Sequence, residues 1–155
     1  MYGTTILQAT DARPTLRSVT PLSQKSVLRG KLNSLLAALT GRSSHLTNIG
    51  QLTGSQQVSN QRSLGSKVVR IADIRASEDR SGDFDRSFHP LETHTKRRWL
   101  SIAVARLNGQ AMPAVELIKV GDAYAVRDGH HRISVAKALG EDYIDAQVTA
   151  WELAD

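Results

Sequence analysis

The chain has 155 residues, 40% of them hydrophobic, no cysteine and a net charge of +5 at neutral pH. That length suits one domain with an appendage and a real core, while the missing cysteines exclude disulfides, thiolate metal sites and a cysteine nucleophile. No apolar run approaches the roughly 20 residues of a membrane helix, and "MYGTTILQATDARP" lacks the basic start and apolar stretch of a signal peptide, so a soluble, cytoplasmic protein without membrane attachment is expected.

The charge is uneven. Residues 1–66 carry seven Lys or Arg against the single acid Asp11, whereas residues 67–155 carry 13 basic and 14 acidic residues. Residues 1–44 read as a basic N-terminal arm. Within it Val27, Leu28, Leu32, Leu35, Leu36 and Leu39 recur at three- and four-residue steps, which predicts one amphipathic helix over about 23–40. Its stripe needs a cover, either its own domain, a second copy or a partner. "HLTNIGQLTGSQQVSNQRSLGS", residues 45–66, is rich in Ser, Gln, Asn and Gly and reads as a polar linker.

From residue 67 a compact α/β domain with a mixed sheet is predicted. "KVVRIADI" reads as a strand, and "RASEDRSGDFDRSFHP" as a loop that Phe84, Phe88 and Pro90 pin to the core. "LETHTKRRWLSIAVARLNG" reads as a helix with Trp99 inward and its cations in solvent, and Gly109 stops it. "AVELIKV" and "AYAVR" form a hairpin about Gly121-Asp122. "HHRISVAKALG" is a helix, and "YIDAQVTAW" is a strand half-buried through Ile144, Ala146 and Val148.

The turn between the hairpin and that last helix holds the chemistry. Asp128 and Gly129 make the turn, and His130 begins the helix. The first N–H groups of a helix lack internal partners and carry partial positive charge. Gly129 lets an anion approach the main chain, and His130, His131 and Arg132 add donors, with Arg132 able to grip a phosphate by two bonds. The turn therefore suits a phosphate-bearing ligand. In the competing view Asp128 caps the helix, both histidines face solvent and Arg127 pairs with an acid. Adjacent histidines diverge by about 100° on a helix, so they make a poor zinc site; no zinc or haem is expected. Asp83 and Asp85 suit Mg²⁺ held together with phosphates, or equally turns that bond their own backbone.

The order of elements and these motifs resemble the ParB/sulfiredoxin superfamily over residues 67–152. "VVRIADIRASEDR" is similar to its first strand and following loop, and "PAVELIKVGDAYAVRDGHHRISVAKALGEDYIDAQV" to its strand pair, signature helix and last strand. The signature helix opens with G-E-R-R in ParB proteins and G-C-H-R in sulfiredoxins; here it is Gly129-His130-His131-Arg132. The resemblance implies nucleotide phosphates, of ATP or CTP, at this helix start. Gly129, His131 and Arg132 carry over directly, with His130 beside them. It also implies that Arg80 and Arg86, on a loop facing that helix, reach phosphate oxygens. Some members are small-molecule kinases, and "ParB-like nuclease" is a family label that does not establish nuclease activity. His130 replaces the sulfiredoxin cysteine, which excludes sulfinic-acid repair, and it also replaces the ParB glutamate. The helix-turn-helix by which ParB reads DNA does not follow residue 152. Small bacterial ParB-like proteins with a D-G-H-H-R helix are the nearest in pattern.

Three functions are expected from this. The first is a nucleotide-binding protein, either hydrolase or small-molecule kinase, with Asp128 or His130 orienting water or a hydroxyl. The second is nucleic-acid binding through the basic arm. The third is self-association, as a homodimer, through the stripe at 27–39.

Overall fold

The structure, a computed structural model, describes residues 25, 29, 45–91 and 95–155, the side chain of residue 96 excepted. In chain order it forms β1 (Thr47–Asn48), α1 (Ile49–Thr53), β2 (Val58–Arg70), a 3-10 turn (Ile71–Asp73) and β3 (Ile74–Ser77). There follow α2 (Lys96–Leu107), β4 (Val115–Val120), β5 (Ala123–Asp128), α3 (His130–Ala138) and β6 (Tyr143–Leu153). The strands make one six-stranded sheet in the order β1-β3-β5-β4-β6-β2. Hairpin partners β4 and β5 are antiparallel, β4 runs parallel to β6, and β5 parallel to β3. The expected mixed α/β architecture is what the chain adopts.

Pleating sorts the apolar residues to two faces. Val115 and Leu117 of β4, Val126 of β5 and Ile144, Ala146 and Val148 of β6 join one core with Ile133 and Ala136 of α3 and with Phe84 and Phe88. Ile118 and Val120, Ala125, and the partly buried Trp151 and Leu153 turn to the other face, where Ile49 and Leu52 of α1 meet them. With both faces covered, the central strands read as near-continuous apolar runs. Helices α2 and α3 join through Trp99, Ala103 and Val135. Trp99 is fully buried, and its Nε1 donates to Ser134 Oγ at 3.0 Å. Trp99→Phe removes that bond and leaves the hydroxyl buried, so unfolding in urea is expected to show a loss of about 1–2 kcal/mol. Unchanged stability would contradict the pairing.

The reading of residues 45–66 as a linker is corrected. They form β1, α1 and the first nine residues of β2, and Leu46 and Ile49 are buried. Along β2, backbone pairing with β6 runs from Val58 to Arg70. An edge strand held by its ladder needs few apolar side chains, so its polar composition hides it. "KVVRIADI" is likewise two elements. Val68 and Val69 close β2, the 3-10 turn intervenes, and Ile74 opens β3. The expected helix over 23–40 and its stripe lie outside the described residues, apart from Lys25 and Arg29, which are both helical. Among the described residues no helix is long and apolar enough to cross a membrane.

Candidate functional site

Two neighbouring parallel strands, β3 and β5, end side by side, with Ser77 in register with Val126. The loop after β3 and the helix after β5 both leave from this edge. In open α/β sheets the crevice at the carboxyl ends of parallel strands is where ligands bind. Here that crevice is a hollow of about 130 Å³. Its walls are Asp79 and Arg80 from the β3 loop, Arg98 and Ile102 from α2, and Arg127 to Arg132 from the end of β5 and the start of α3.

Gly129 makes the corner. Its φ of 104° lies in the left-handed region, where a Cβ is disfavoured. A Cβ there would also stand 2.5 Å from Val115 Cγ1. Glycine is therefore required twice, by the turn and by the strand beneath it. Helix α3 starts at His130, and its N-cap position is Gly129, which has no side-chain oxygen to offer; the helix start, with its partial positive charge, forms part of the wall of the hollow.

The N-cap position expected of Asp128 falls one residue on, at Gly129, and Asp128 Oδ2 accepts from Arg132 Nη2 at 2.6 Å. Arg132 also donates through Nη1 to the carbonyls of Pro113 and Ala114, at 2.5 and 2.9 Å. The two-bond phosphate grip expected of Arg132 is thus replaced by a tether that fixes the 113–114 segment and Asp128 to α3. Arg127 pairs with Glu78, Nε to Oε2 at 3.0 Å, and that hydrogen bond is the main reason its guanidinium is held more firmly protonated than usual. Arg80 is half-exposed, with only a loose 3.9 Å approach to Asp83. Arg98 is exposed and has no carboxylate partner among the described residues. Among the described residues lining the hollow, Arg80 and Arg98 are thus the arginines not held by a close carboxylate contact.

Both histidines are buried, at 5% and 7% exposure, against the view that they face solvent. His130 Nε2 lies 2.7 Å from Ser77 Oγ, which also accepts from the Arg80 amide at 2.8 Å. Phe84 stacks on the His130 ring and meets His131 edge-on. Burial, helped by the positive charges of Arg80 and His131, pushes the His130 pKa down to about 4. The ring is neutral at pH 7 and a weak base. His130 contacts the β3 loop through Ser77, and Asp128 holds Arg132.

The structure separates the two candidate magnesium ligands. Asp85 is buried, accepting from the amides of Ser87 and His89 through Oδ1 and facing His89 Nδ1 across 3.0 Å through Oδ2. It is the turn-building residue of the competing reading, and it supports Phe88, a buried non-glycine with φ of 60°. Asp83 stays at the surface beside Arg80. Among the described residues no three metal-ligating side chains cluster. Arg86 does not join Arg80 either. It lines a different hollow with Arg75 and Lys137.

Sequence reasoning missed Arg98, which it assigned to a solvated face. One residue along a helix turns the side chain by about 100°, so with Trp99 pointing inward Arg98 sits at the rim of the α2 contact. Only the docking of α2 shows that this rim borders the hollow. It also missed Ser77, which carries no local signal.

No protein-family model matches the chain, and no curated protein matches it. Among solved structures it is similar to the sulfiredoxin from Arabidopsis thaliana, at 16% sequence identity and a TM-score of 0.41, covering 54% of this chain and 82% of that one. A likeness of that degree concerns the fold and carries no argument about chemistry.

Proposed function

We propose that this protein binds a phosphorylated small ligand, such as a nucleotide, seating one phosphoryl group at the start of α3. The observation that carries the proposal is the hollow itself. The start of α3 and a left-handed Gly129 open onto it, and Arg80 and Arg98 bring charge from two other elements. Backbone amides and guanidinium groups together are what a phosphate needs. Its size narrows the ligand. Whole-ligand pockets span roughly 300–1,000 Å³, so about 130 Å³ suits a phosphoryl group while the rest of the ligand lies across the surface. The proposal stops at binding, because His130 and Asp128 are both engaged within the protein.

Calorimetric titration with inorganic phosphate, pyrophosphate, ATP and CTP, with and without Mg²⁺, tests it. Arg98→Ala and Arg80→Ala are each expected to weaken binding by roughly tenfold or more, the worth of a charge-assisted hydrogen bond. Both side chains are exposed, so the fold is expected to be retained, as circular dichroism would check. Failure of all four ligands to bind at millimolar concentration, or unchanged affinity in both variants, refutes it.

A further inference from the structure

A second charged surface lies away from that hollow, around Lys137 near the end of α3. Two concavities adjoin there. One, of about 470 Å³, is lined by Lys25, Arg29, His89 and Lys137 among others. The other, of about 300 Å³, is lined by Arg75, Arg86 and again Lys137. Lys25 and Arg29, both helical, face the same concavity. All five Lys and Arg side chains are exposed. Among the described residues no carboxylate lines either concavity, and the nearby Asp85 is spent inside its own loop.

Among the described residues five cations line these two adjoining concavities with no acid in the lining; they repel one another and gain most from a ligand with several negative charges. A single phosphate group would meet only part of such a set. The surface is hollow, so a flat anionic membrane touches its rims while a flexible chain follows its floor. Among the described residues no Phe, Tyr or Trp lines either concavity, so binding there would rest on the backbone charge and not on stacked bases. We infer that this surface is a track for the sugar–phosphate backbone of single-stranded nucleic acid, bound through its charge and without regard to sequence. The track is independent of the phosphate hollow at Gly129, and either can fail without the other.

Fluorescence anisotropy of a labelled 20-nucleotide oligo-dT with the full chain, from 50 to 300 mM salt, tests it. The logarithm of the affinity is expected to fall linearly with the logarithm of salt, with a slope of roughly −3 for four or five phosphates neutralised. Lys137→Glu with Arg86→Glu is expected to weaken binding at least tenfold and to flatten the slope by about 1.4. Lys25→Glu with Arg29→Glu is expected to act alike, so the result does not hang on one variant folding. A control of equal charge change is Arg62→Glu with Lys119→Glu, both in register with Ala150 on the β6 side of the sheet; it is expected to stay within threefold. Absence of binding at 50 mM salt overturns the inference. So does an equal loss in the control, or sedimentation with phosphatidylserine vesicles in place of oligonucleotide binding.

Discussion

Replacing Gly129 by alanine is expected to cost on the order of 3 to 4 kcal/mol of folding stability, read as a fall in the urea midpoint at unchanged slope. Two terms add. A residue with a Cβ held in the left-handed region costs about 1–2 kcal/mol. Forcing a methyl into packed atoms costs about 1–3 kcal/mol more, and here the methyl would lie 2.5 Å from Cγ1 and 2.8 Å from Cβ of Val115. Val115 is itself buried at the start of β4, in register with Ala146, so neither side has room to withdraw. A double-mutant cycle separates the terms. Val115→Ala removes the crowding atoms but not the backbone strain. The double variant is therefore expected to be at least 1 kcal/mol more stable than the sum of the single losses implies. A Gly129→Ala protein within 1 kcal/mol of wild type, or strictly additive losses, would show that the corner is not built as described.

That corner was legible in the sequence because its signals are local. A glycine after an apolar strand and before a helical stripe marks a turn whatever surrounds it. The same holds for Ile144, Ala146 and Val148, whose alternate burial in β6 follows from their spacing. What failed to show was whatever depends on distant partners. Residues 58–66 hold few apolar side chains, and their strand exists because β6 offers a ladder far along the chain. The same limit applies inside the site. Asp128 is a good cap by composition, yet the N-cap position falls on Gly129 and a guanidinium one helical turn on holds the Asp128 carboxylate. Likewise Arg98 and Ser77 became site residues only once α2 docked and β3 paired with β5. The turn and its cluster of cations were readable in the sequence; which of those cations stay unpaired by carboxylates in the fold was not.

Acid should weaken this fold through one identifiable ring. His130 is buried against Phe84 and Ser77, and its pKa is pushed down to about 4, first by loss of water and then by Arg80 and His131. In the unfolded chain a histidine titrates near 6.5. Between those values the unfolded state holds a proton that the native state refuses, so stability rises with pH across the window. The contribution is complete above about pH 6.5 and is lost as pH falls toward 4, by up to about 3 kcal/mol at 1.36 kcal/mol per pH unit. Urea unfolding at half-unit steps from pH 7.5 to 4 measures it. Carboxylates titrate near the bottom of that range, so the comparison is with His130→Asn, which keeps a polar group near Ser77 and carries no titrating ring. The variant is expected to be less stable at pH 7.5 and to lose clearly less between pH 6.5 and 4.5. The two curves should converge as acid is added, because protonation and substitution abolish the same neutral contact. Parallel curves across that interval would mean that the imidazole protonates freely in the native protein. The tight seat between Ser77 and Phe84 would then be wrong, and with it the account of why this histidine holds a loop and leaves the ligand's charge to the arginines.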